Sequence, residues 1–227
     1  KSILVNPKDL KYKIFICNKS KSELKGTNAL KYIEWGEKQK TEEGIYWKNV
    51  PSVSGKKNWY SIYEIAGNTF FGKEIRERIA VFISNGRLLA DCRLYCVDLD
   101  SSNQYVCNST FYALMGEVLK RDLGGGGGPR SLMVYEVSDS YVMTPNLLSI
   151  PKSEINNREI KTIFEECGID PKSKIPIEEQ QPKPFPDRAE LDKIVFDALG
   201  LTADERKDVY RAVCRLVWNR ISKAKSV

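Results

Sequence analysis

The stretch that opens at Gln104 reads first as the end of a strand, and apolar residues then recur at helical spacing up to Leu123, at Phe111, Tyr112, Leu114, Met115, Val118 and Leu119. This predicts an amphipathic helix with Asn108 as its N-cap and with Lys120 and Arg121 at the negative end of its dipole. The helix runs into five consecutive glycines, Gly124 to Gly128, then Pro129 and Arg130. A segment without side chains either caps the helix and supplies slack, or lets a polymer backbone lie close to it.

Ahead of that helix the pattern is shorter. Lys11 to Cys17 alternates lysine with apolar residues, as a strand with one wet face does. Thr27 to about Lys40 reads as a short helix capped by Thr27. Ile45 to Val53 and Gly55 to Ile65 read as a turn leading into a strand. Residues 69–99 read as consecutive β elements broken by a hairpin at Asn85-Gly86. β structure is expected again over Ser131 to Val137 and Tyr141 to Ile150.

After Pro151 a helix is expected around Asn157 to Cys167, stopped by Gly168 and Pro171. Five prolines between positions 171 and 186 then describe an extended linker or strap. The chain ends in two amphipathic helices. One carries Leu191, Ile194, Val195, Ala198 and Leu199 on a face and is stopped by Gly200, and the other carries Val209, Tyr210, Val213, Leu216, Val217 and Ile221. Asp187 to Glu190 and Thr202 to Glu205 each have capping-box spacing.

The expected architecture is therefore α+β. A β-rich domain over residues 1–150 is followed by a helix and Pro-rich linker over 151–186, and a helical hairpin over 187–227 packs on the first domain.

Composition narrows the chemistry. No apolar run approaches the roughly 20 residues of a membrane span, and the chain, which opens on Lys1, reads as a piece of a longer protein. Six scattered cysteines without a CxxC, and no histidine at all, leave no zinc-finger ligand set and no Cys-His pair; free thiols fit a cytoplasmic protein. Cys92 and Cys96 share a strand face about 13 Å apart, too far for a disulfide. Pro186-Asp187 with Glu205-Arg206-Lys207 matches a PD…ExK nuclease pattern, but helix-cap roles explain both carboxylates. No metal site and no catalytic residue are assigned.

Charge is uneven along the chain. Residues 1–60 hold 13 Lys/Arg against 6 Asp/Glu, 61–150 hold 8 against 10, and 151–227 hold 15 against 14. A basic excess at the front favours a polyanionic partner or is a solvated lysine surface. Lys56, Lys57 and Asn58 precede Trp59-Tyr60, a combination that suits phosphate contact with base stacking as well as it suits a core aromatic pair. Arg76 and Arg78 are candidates for base edges. Lys120, Arg121 and Arg130, with Gly125, Gly126 and Gly127 between them, are candidates for nucleic-acid backbone contact.

In order, WGE at Trp35 to Glu37, the basic residues before Trp59-Tyr60, VCNSTFYALMGEVLKR with its glycines, SLMVYEVSDSYVMTPNLLSIP and the tail from Asp187 resemble one family. It is the C-terminal target-recognition region of adenine-specific DNA methyltransferases, found in single-chain type II restriction-modification enzymes and related to type I specificity subunits. The resemblance implies a target-recognition-type domain that docks on double-stranded DNA and reads bases in the major groove. An upstream methyltransferase domain of the same protein would bind S-adenosylmethionine and methylate a flipped adenine. The Asn-Pro-Pro-aromatic motif and a glycine-rich methyl-donor loop are absent here, so no cofactor is assigned to this segment. The alternative is a protein-interaction or scaffolding domain in the same systems, without base reading.

Overall fold

A computed structural model describes residues 2–75, 77–119, 130–138 and 158–223, the side chains of Arg130 and Ser131 aside. It is an α+β protein whose chain forms two compact units. One is Leu10–Ile65, and the other combines Lys1–Asp9 with Ala66–Val227. The chain thus divides at Ile65, not near residue 150, and the terminal hairpin belongs to the larger unit.

The smaller unit has little regular structure. Helix α1 (Asn28–Gly36) begins where expected, with the Thr27 hydroxyl accepting from the Leu30 amide. Helix α2 is a single turn, Pro51–Ser54. The strand expected at Lys11 to Cys17 does not form: the stretch has no regular structure and no strand partner among the described residues, and Tyr12 is 91% exposed within it. Its end is pinned instead by side chains: the Tyr60 hydroxyl donates to Lys19 O (2.8 Å) and the Ser61 hydroxyl to Cys17 O (3.2 Å). Residues 55–65 likewise form no strand.

In the larger unit β1 (Ala66–Gly72) lies between β3 (Val81–Leu89) and β4 (Leu94–Val97), antiparallel to both. Neighbouring Phe70 and Phe71 are both buried, so both faces of the central strand are covered. A second, two-stranded pairing joins β2 (Glu74–Ile75) to β5 (Arg130–Ser131). Asn85-Gly86 makes no hairpin. It sits within β3, where the register with β1 jumps between Gly67 and Thr69, and it is a bulge in a continuing strand.

Helices cover the sheet. Where a strand end was expected from Gln104, the chain forms helix α3 (Ser101–Val106), capped by Asp100 and followed by α4 (Thr110–Leu119). Asn108 does not cap α4. Its amide pairs with the backbone of Val81, accepting from N (3.3 Å) and donating to O (2.8 Å), as an adjacent strand would. The Ser109 hydroxyl caps instead, accepting from Tyr112 N. After β5 the chain turns into a short helix, α5 (Val134–Ser138), where β structure had been expected.

Helix α6 (Ile163–Cys167) carries a full capping box between Thr162 and Glu165 and ends on left-handed Gly168. The proline-rich segment that follows is docked: Ile177 is buried, and the amides of Lys183 and Phe185 donate to Cys167 O and Glu166 O. The final hairpin is α7 (Pro186–Ala198) and α8 (Ala203–Lys223). The Thr202–Glu205 box forms around the start of α8, but Asp187 does not cap α7. Phe185 precedes that helix without a side-chain cap, and Asp187 is held by Arg158 (2.7 Å). On α7 the inward face holds Leu191, Val195 and Phe196, while Ala198 and Leu199 are exposed. Phe196 packs edge-on against Tyr210, and Phe164 against Trp218.

Candidate nucleic-acid interface

The residues expected to meet DNA separate into three groups. Lys56 and Lys57 are exposed and Asn58 is half-buried in the smaller unit, with Lys56 Nζ donating to Ser61 O (3.2 Å). Arg76, Lys120, Arg121 and the run Gly125, Gly126 and Gly127 lie outside the described residues, as do Tyr141 to Ile150 and the start of the helix expected at Asn157; Arg130 is described by its backbone alone, as a partner of Ile75. Arg78 is a correction. Its side chain is only 7% exposed and is bound to Glu166, so it does not reach a base edge.

Glu166 is the centre of a buried cluster. Fully buried on α6, it accepts from Arg78, from Arg158 (2.9 and 2.7 Å) and from Arg188 Nε (2.7 Å). Arg188 continues the network to the Thr110 hydroxyl (2.9 Å), and Thr110 donates its amide to Asp192 (2.6 Å). Asp192, on α7, thus binds the free amide at the first turn of α4 from another helix, where the dipole favours an anion.

Burial by itself would raise the Glu166 carboxyl, but hydrogen bonds from Arg158 and the charges of Arg188 and Arg78 outweigh it and bring it to about 2. Burial, then the nearby Arg188 charge, lowers Arg78 to about 10. Burial raises Asp192 against the pull of Arg188 and Thr110. The adjoining cavity, about 10 Å³, has room for one water at most. With no space for a substrate, the cluster is a brace between the β2–β3 connection, α6 and α7.

The cluster predicts a pH dependence. The folded value of Glu166 lies below its ordinary 4.5, so its contribution is complete above about pH 4.5 and lost as pH falls through about 2. Urea unfolding across this window should show a falling stability that is absent, for this portion, in Glu166→Gln. Parallel curves for the two proteins would contradict it.

The smaller unit offers a surface of a different kind. It holds eleven lysines, six glutamates and no arginine or aspartate, and every one of the lysines is exposed. Aromatic rings stand among them: Tyr32 stacks on Trp35 at 5.5 Å, Trp35 meets Trp47 edge-on, and Lys40 lies over the Tyr46 ring at 4.6 Å. Tyr12 and Tyr63 are more than nine-tenths exposed.

Between α1, α2 and the Trp59 segment lies an open, mostly apolar cavity of about 430 Å³. Gly36 lets the Trp59 ring pack against α1, since a Cβ there would stand 2.8 Å from Cη2 of Trp59. The PD…ExK residues do not converge as a metal site: Asp187 holds Arg158, Glu205 caps at Thr202, and Lys207 pairs with Asp204. Among the described residues no group of three His, Cys, Asp or Glu side chains could hold a metal ion, and no helix is long and apolar enough to cross a membrane.

The buried cluster had a signal that sequence reasoning passed over. Glu166 falls with Ile163 and Cys167 on the apolar face of α6, and Arg188 and Asp192 fall with Leu191 and Val195 on that of α7. A charge inside an apolar stripe needs a buried partner. No protein-family model, curated protein or solved structure matches the chain.

Proposed function

We propose that the chain is a DNA-recognition segment of a restriction-modification N6-adenine methyltransferase, in which Leu10–Ile65 holds the phosphate backbone for a catalytic domain elsewhere in the protein. The observation that carries it is the set of eleven exposed lysines interleaved with exposed aromatic rings in one compact unit. Lysine is a mobile point charge suited to phosphate, whereas bidentate reading of guanine calls for arginine. The unit has no arginine, so its part is to position the duplex. Base reading would fall to Arg76, with Arg130 on the nucleic-acid backbone; S-adenosylmethionine would belong to the upstream domain, as the family resemblance implies.

Duplex affinity measured across salt tests the reading. Each phosphate contact steepens the log-log slope by about 0.9. Reversing Lys56 and Lys57 to glutamate should cost roughly 30-fold in affinity near physiological salt and flatten the slope by about 2. A wild-type slope near zero would sink the proposal.

A second reading, a protein-interaction domain, is favoured by the groove of about 580 Å³ over Phe164, Trp218 and Ile221, with Glu165 and Asp170 on its rim. It gains if the lysine reversals leave affinity unchanged while Trp218→Ala abolishes assembly with the rest of the parent enzyme.

A further inference from the structure

We propose that the aromatic cavity of the smaller unit is a binding site for a single unstacked nucleobase. The inference rests on the reading of this unit as a polyanion-binding surface and adds what that surface does with a base. The walls are the rings of Phe15, Tyr32, Trp47, Trp59 and Tyr60, closed by aliphatic side chains such as Val53. The cavity's volume of about 430 Å³ lies in the range of pockets that enclose small ligands, about 300–1,000 Å³.

A planar ring system is the ligand such walls fit best, because offset and edge-on contacts with aromatic faces are available from several sides. The unit's charge selects among planar ligands. Eleven exposed lysines against six glutamates favour a base that carries a phosphate over an uncharged side chain of a partner protein. Of the polar groups on the ring walls, the Tyr60 hydroxyl is committed, donating to Lys19 O, whereas the Trp59 indole Nε1 is buried with no hydrogen-bond partner among the described residues. The site therefore selects for a π-face and an attached phosphate, with the Trp59 Nε1–H as a single donor to a base acceptor.

The test is a titration of the intact protein with adenosine 5′-monophosphate, followed by tryptophan fluorescence, with ribose 5-phosphate and N-acetylphenylalaninamide in parallel. Saturable quenching by the nucleotide in the millimolar range is expected, with none from the sugar phosphate. Val53→Trp, which fills the cavity from α2, should weaken the nucleotide at least tenfold, in line with the loss of one stacked base. A thermal melt establishes that the variant is folded; if it is not, the three wild-type titrations decide the matter alone. No saturable quenching by the nucleotide, equal quenching by ribose 5-phosphate, or saturation by N-acetylphenylalaninamide only, would each overturn the proposal. Nucleotide binding together with a flat duplex salt slope would keep this site and remove the duplex reading; a steep slope without nucleotide binding would do the reverse.

Discussion

Glu166→Gln is expected to destabilise the folded protein by about 3–5 kcal/mol, the cost of removing one member from a buried ion cluster. The carboxylate is the common acceptor for Arg78, Arg158 and Arg188, of which Arg78 and Arg188 are themselves buried. A neutral amide would leave these cations facing one another with only Asp187 beside Arg158 and Asp192 near Arg188. Like charges at such distances, away from water, repel strongly. The neighbouring Glu165 provides the control: it is exposed and serves as the capping partner of Thr162, so Glu165→Gln should cost far less. Urea unfolding of both variants measures the difference. A loss below about 1 kcal/mol for Glu166→Gln would mean that water reaches the arginines and that the cluster is no brace.

Two adjacent glutamates with opposite fates show how far local sequence carries. Features fixed within one helical turn were legible: the Thr27 cap, the Thr202–Glu205 box, and glycine stops at positions 168 and 200. Features decided by a distant partner were misread. Asn108 has good N-cap chemistry, but Val81 offers it two backbone bonds, and Ser109 takes the cap. Asp187 has capping-box spacing, but Arg158 offers a charge. Asn85-Gly86 is a hairpin signal only if the strand ends there, and pairing with β1 carries β3 onward.

The same logic separates the candidate site residues. Arg78 has a charge beside a strand, which suits a base edge, but that charge is matched by Glu166, 88 residues along the chain. The lysines of the smaller unit have no such buried counterparts and remain on the surface. Its cavity was not anticipated, because it arises from tertiary placement of rings at positions 15, 32, 47, 59 and 60, which share no period.

Gly168→Ala should cost about 3 kcal/mol, and Gly200→Ala about 1–2 kcal/mol. Both glycines end a helix in the left-handed region, at φ +63° and +68°, and in both the next amide reaches back five residues: Ile169 N to Phe164 O and Leu201 N to Phe196 O, each 3.0 Å. Any side chain incurs the left-handed strain at either position. Their surroundings differ. A Cβ on Gly200 would meet nothing within 4 Å, whereas one on Gly168 would lie 2.2 Å from Lys183 O. Relief requires residue 183 to move, and that residue's amide is bonded to Cys167 O while Phe185, two residues on, is bonded to Glu166 O. Since the Phe185 ring also lies under the Arg158 guanidinium at 4.9 Å, the displacement would loosen the docked proline-rich strap and the charged cluster together. Hydrogen exchange at the Lys183 and Phe185 amides should therefore accelerate in Gly168→Ala and stay unchanged in Gly200→Ala. Equal costs for the two substitutions would show that the strap moves aside freely and does not brace α6.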